Sequence, residues 1–163
     1  MNTSQVDGAE GAGCWTLLSE ADRLVLDAAD GWLLLGSPAE ALAELLLLPH
    51  IVRNHPDFLL LRCRIAERMG DWSLVAEVAE RLIAAVPEEI QAWLMWAHAL
   101  ERVEGPRAAF GLLLKQCNSF QNNHWFAEEL AQYAFTIGKP EEFESYRIKA
   151  NCHPKPFPTN ATR

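Results

Sequence analysis

Three pairs of side chains recur 34 positions apart: Leu60 with Leu94, Arg64 with His98, and Arg68 with Arg102. Within each set the residues stand four apart, the spacing of one helix face. Guanidinium and imidazole groups beside leucine can receive a carboxylate or an acidic helix face through charge-assisted hydrogen bonds. Glu67 and Glu101 precede Arg68 and Arg102, so a solvated, self-neutralised face is the competing reading. The remaining reactive residue types converge on nothing. His50, His55, His98, His124 and His153 show no i, i+4 pairing and no carboxylate at ligand spacing. Cys152-His153 stands alone, whereas a structural zinc site wants four ligands. No Ser–His–Asp order, glycine-rich phosphate loop or HExxH motif is present. The expectation is a protein that is not an enzyme and needs neither cofactor nor metal.

Composition narrows the partner. The chain has 163 residues, enough for one domain with a real core, and is 50% hydrophobic and 22% charged. Its net charge of -8 and pI near 5.1 disfavour nucleic acid, which selects a basic face, and an anionic membrane surface. Residues 1–13 have neither the basic region nor the apolar stretch of a secretory signal. Cys14, Cys63, Cys117 and Cys152 lie far apart with no CxxC, which reads as reduced thiols filling small apolar sites. The expected location is cytoplasmic.

These side chains need helices to hold them, and the stretch GWLLLGSPAEALAELLLL at residues 31–48 shows how the helices are arranged. It is too polar to span a bilayer, since it contains Glu40, Glu44 and the Ser37-Pro38 break. Gly36 ends one helix; Ser37 is expected to cap the next, with Pro38 at its first position and Glu40 completing a capping box. Two helices joined by so short a turn fold back as a hairpin.

The hairpin repeats. Steps of 34 from Gly36 reach Gly70, Glu104 with Gly105 beside it, and Gly138. Two residues later stand Pro38, Trp72, Pro106 and Pro140; seven residues earlier stand the small Ala29, Cys63, Ala97 and Ala131. Five residues after each mark stand the apolar Ala41, Val75, Ala109 and Phe143. Over residues 22–150 this pattern resembles the 34-residue helix–turn–helix unit of the tetratricopeptide repeat family. Its best unit is residues 87–114, with Trp93 at the large position, Ala97 at the small one and Pro87 at the repeat end. Arg53 and Gln121 replace that proline in other units, and no small position is Gly.

The resemblance implies an all-α, right-handed solenoid of four antiparallel helix hairpins at residues 16–150. A disordered segment is expected at 1–15 and an extended Pro-rich tail at 151–163. Helices are expected near 20–35, 38–53, 57–69, 72–85, 88–103, 106–117, 123–137 and 140–150, with Leu33 to Leu35 ending the first and Leu42 and Leu45 to Leu48 buried in the second.

In this family the concave surface comes mainly from the first helix of each unit. Carried over by position, the groove is lined by Arg23, Leu26 and Asp30, then Asp57, Leu60, Arg64 and Arg68. Gln91, Leu94, His98 and Arg102 follow, and then Glu128, Gln132 and Thr136. The Asn and Lys with which chaperone-tail-binding members clamp a terminal carboxylate are absent. Trp72 is expected in the core, and Trp125 is either an aromatic anchor for a partner or packed on Phe120.

The resulting reading is a protein–protein interaction module holding a peptide or helix with acidic and apolar residues. The alternative is a small secretion-type chaperone that keeps an apolar segment soluble. At the C-terminal end, Phe143, Tyr146 and Ile148 suggest either a homodimer or cover by the tail through Phe157.

Overall fold

The computed structural model describes residues 17–152; the expectations for residues 1–15 and for the tail beyond Cys152 lie outside them. Eight α-helices follow one another: α1 (Glu20–Leu34), α2 (Pro38–Leu45), α3 (Pro56–Met69), α4 (Trp72–Ala85), α5 (Ile90–Glu104), α6 (Pro106–Gln116), α7 (His124–Thr136) and α8 (Pro140–Cys152). A 3₁₀ turn at His50–Asn54 precedes α3, and the described residues contain no strand. α8 thus runs two residues past the expected start of the tail.

Each hairpin closes where the repeat marks stand. At Gly70 the chain turns left-handed (φ 75°, ψ 16°), and its amide donates back to the Glu67 carbonyl at 3.0 Å, satisfying an otherwise orphaned helix end. The third turn is tighter. Gly105 ends α5 and also directly precedes Pro106, so one residue does both jobs, with φ 95° and ψ 171°.

Two expectations about the first hairpin need correction. Ser37 makes no side-chain cap to α2; the capping box lies instead at the start of α1, where Ser19 and Asp22 cap one another. α2 also stops at Leu45 rather than near residue 53. Pro49 cannot continue a helix, having no amide to donate and a ring that crowds the preceding turn. Arg53 then satisfies the released carbonyls, donating to Leu46 at 3.0 Å and Leu48 at 3.2 Å. Only part of the leucine run is therefore core. Leu33, Leu45 and Leu48 are buried, while Leu34, Leu35, Leu46 and Leu47 are exposed.

The small positions do what close helix packing requires: Ala29, Cys63 and Ala97 are fully buried and Ala131 nearly so. Burial pushes the Cys63 thiol up to about 12, which keeps it protonated and unreactive, and its Sγ donates to the Val75 carbonyl at 3.6 Å. Of the apolar positions after each turn, Ala41, Val75 and Ala109 are fully buried and Phe143 half-buried.

The core falls into two clusters that meet on α5. Ala92, Met95 and Ala99 face the N-terminal cluster, whereas Trp93 and Ala97 face the C-terminal one with Phe110, Leu113, Phe126 and Leu130. Trp96 and Ile83 touch both. At the far end Phe143 and Tyr146 pack against the second cluster, leaving Ile148 exposed.

Stacking sets the curvature. α1 touches α3, α3 touches α5 and α5 touches α7, but no Cα pair within 8 Å joins α2 to α4, α4 to α6 or α6 to α8. The first helices of the hairpins are thus crowded along one side and the second helices splayed along the other. The crowded side is the inner one.

Candidate functional site

The first stretch of this inner face is a cleft of about 320 Å³ between α1 and α3. It is lined by Arg23, Leu26, Asp27, Asp30, Asp57, Leu60 and Arg64, among others. Arg64 is not an unengaged cation. Its Nη1 lies 2.7 Å from Asp30 Oδ1, so the pair ties the first hairpin to the second at a spacing of one repeat. Leu26 lines the cleft but is itself almost wholly buried.

The middle of the face belongs to His98. Its Nδ1 stands 3.7 Å from a Glu67 oxygen and its Nε2 3.5 Å from Glu129, so one imidazole bridges α3 and α7. Hydrogen bonding to Glu129 raises its pKa above the ordinary histidine value, helped by the charges of Glu129, Glu67 and Glu101 and opposed by burial. Glu101 in turn accepts from the Tyr133 hydroxyl at 3.4 Å, and Tyr133 is held protonated to higher pH chiefly by burial. Arg102 lies over Trp72, its guanidinium carbon 5.3 Å from the ring centroid, while the half-buried Trp72 packs on the N-terminal cluster. Arg68 and Gln132 remain exposed.

This arrangement predicts a pH dependence. Because folding raises the His98 pKa, its stabilisation is complete below the free imidazole value of about 6.5 and fades as pH rises through the folded value. His98→Asn is therefore expected to lower the melting temperature more at about pH 5.5 than at about pH 8.5. An equal loss at both would mean that the imidazolium is not held by its carboxylates.

The third stretch was only partly legible in sequence. Glu88, Glu89, Ile90, Gln91, Leu94, Asn123 and Trp125 line a cleft of about 400 Å³ between the starts of α5 and α7. Trp125 is 45% exposed, and Phe120 packs on Phe126 instead, with ring centroids 5.0 Å apart. Asn123 caps α7 by accepting from the Phe126 amide at 3.0 Å, which fixes where Trp125 starts its helix.

No family model and no curated protein matches the chain. Among solved structures it is similar to MamA, residues 41 to the end, from Desulfovibrio magneticus RS-1. The TM-score is 0.67 at 18% identity, covering 82% of this chain and 76% of that one. A MamA RS-1 double mutant gives the same score and identity, covering 82% and 75%. A further crystal structure of MamA gives 0.68 at 12% identity, covering 80% and 76%. The fold is a tetratricopeptide-like helical solenoid. At such identities the likeness extends to the fold alone.

In this solenoid the carried-over groove positions do not form one cationic patch. The structure gathers Arg23, Leu26, Asp30, Leu60 and Arg64 in the first cleft, and Gln91 with Leu94 in the third. Gln132 lines a separate cleft of about 200 Å³ near the C-terminal end, with His124, Glu128, Ala131, Phe143, Arg147 and Ala150. There His124 and Glu128 form an i, i+4 pair at 3.3 Å, correcting the expectation that no histidine has a carboxylate at such spacing. The described residues hold no cluster of three or more potential metal ligands and no helix long and apolar enough to cross a membrane.

The sequence sets Glu67 beside Arg68, but in the fold it meets His98, and Asp30 and Glu129 supply the other partners. The signal was present, since Asp30 stands one period before Arg64 and Glu67 and Glu129 stand 31 positions either side of His98. In a stacked repeat those separations bring residues to facing positions on neighbouring first helices.

Proposed function

We propose that the protein is a protein-interaction module that holds a peptide segment of another protein along the inner face of α1, α3, α5 and α7. The observation carrying this reading is Trp125. A half-exposed indole beside Leu94 and Ile90 in a 400 Å³ cleft is the kind of concave aromatic anchor on which binding energy concentrates. The charge of the preferred segment follows from who is already paired. Arg64 and His98 stand against carboxylates and Arg102 lies over Trp72, which favours a ligand other than an acidic one at the middle of the face. The third cleft has two carboxylates, Glu88 and Glu89, and no cation among its lining residues. An apolar residue flanked by Lys or Arg suits it best.

A library of peptides bearing an apolar residue flanked either by lysines or by glutamates tests this directly. Lysine-flanked members should be retained, and Leu94→Ala with Trp125→Ala should weaken them tenfold or more, about 1.4 kcal/mol per decade, when measured well below the melting temperature, which the loss of Leu94 packing on the C-terminal cluster lowers. Undiminished binding to that double variant would move the site off the inner face.

A further inference from the structure

The Trp125 cleft is lined by the start of the helix against which the described chain ends. His124 Nδ1 lies 2.5 Å from the carbonyl oxygen of Ala150, which brings the last turn of α8 against the first residue of α7. Asn123 and Trp125, the neighbours of His124, line the cleft. Beyond Cys152 the sequence continues HPKPFPTNATR. Five residues at about 3.1 Å each, the advance of proline-rich backbone, reach roughly 16 Å, more than the 10–12 Å diameter of a helix. The chain from Cys152 to Phe157 is therefore long enough to cross the start of α7 and enter the cleft.

The chemistry matches as well as the reach. All 22 Asp and Glu residues lie within residues 1–152, whereas 153–163 carry Lys155 and Arg163 and no acid. Phe157, two residues from Lys155, is the segment's one large apolar side chain. The cleft offers Trp125, Leu94 and Ile90 beside Glu88 and Glu89. The end-face cleft near His124 is half the volume and offers one carboxylate, Glu128, beside Arg147, which is paired with Glu144, so it suits a lysine-bearing segment less well.

We propose that residues 155–158 of this chain dock into the Leu94–Trp125 cleft, with the Phe157 ring against Trp125 and the Lys155 ammonium beside Glu88 and Glu89. The tether makes a modest contact sufficient. A short linker holds the segment at an effective concentration on the order of millimolar, so a contact with a millimolar Kd in trans is about half occupied in cis. The proposal shares its cleft with the groove reading but does not depend on an outside peptide binding there. Where one does bind, the tail competes with it.

The test uses the full chain labelled with 5-fluorotryptophan, whose six indoles give separate fluorine resonances, Trp125 being assigned by Trp125→Phe. Removing residues 153–163, and separately Phe157→Ala, should both shift the Trp125 resonance. A synthetic peptide of residues 153–163 should restore it saturably in the shortened chain, and several-fold more weakly when Glu88→Gln and Glu89→Gln are combined. A Trp125 resonance unmoved by either change overturns the proposal, as does one that responds to shortening but not to Phe157→Ala. Lysine-flanked library peptides that bind at Trp125 equally well in the full and shortened chains would overturn tail docking alone and leave the groove reading standing.

Discussion

Phe126→Ala should cost about 3–5 kcal/mol, the range for removing a fully buried aromatic ring, and the loss should be uneven along the molecule. The side chain is 1% exposed, stacks on Phe120 and lies in the cluster that joins α5, α6 and α7. The N-terminal cluster shares only the two faces of α5 and the bridging Ile83 and Trp96 with it. A repeat stack is stabilised by nearest-neighbour interfaces, so damage to one end is passed on weakly. Amide hydrogen exchange should therefore accelerate strongly in α7 and α8 and much less in α3 and α4. Uniform acceleration across all eight helices would show that the two clusters unfold as one unit.

Ala97→Leu tests the opposite failure, too much volume rather than too little. Ala97 is fully buried on the face of α5 that meets Ala109 and Phe110 of α6, at the small position of the best-formed repeat. Three extra carbons have nowhere to go without spreading the hairpin, at a cost of about 1–3 kcal/mol. The melting temperature should fall accordingly, and the loss should be several times that of a substitution at exposed Arg107 on the outer surface of the same hairpin. Unchanged melting would mean that α5 and α6 are not in close contact at this point.

How much of this was readable beforehand depends on whether a feature is local. The period of 34, the turn glycines and the alternation of small and large positions come from neighbours in sequence. The hairpins were therefore legible from Gly36, Gly70, Gly105 and Gly138 together with Ala29, Cys63 and Ala97. Pro49 is equally legible, since a proline there breaks the single helix over 38–53 that the leucines around it suggest. The leucine run itself misled for a physical reason. Apolar letters show that a helix can be buried, but only the direction in which the next hairpin approaches decides which side is. Leu45 and Leu48 thus went inside while Leu46 and Leu47 stayed out.

The candidate site lay further from the reach of sequence. Position in the repeat placed Arg64, His98 and Arg102 on the inner face, but their availability depends on what stands opposite. Arg64 meets Asp30, His98 meets Glu67 and Glu129, and Arg102 meets the Trp72 ring, each partner lying on another helix. Long charged side chains choose among several rotamers, and the angle at which hairpins stack determines which carboxylate they find. Trp125 shows the same division. Its register placed it at the start of α7, but the cleft beside it is formed jointly with Glu88, Glu89, Ile90, Gln91 and Leu94 from one repeat earlier. The sequence by itself determined a repeat and its period, and the family resemblance implied which positions face inward. Tertiary packing decided which of those positions are neutralised and which form a place to bind, since that choice rests on contacts between residues about one repeat apart.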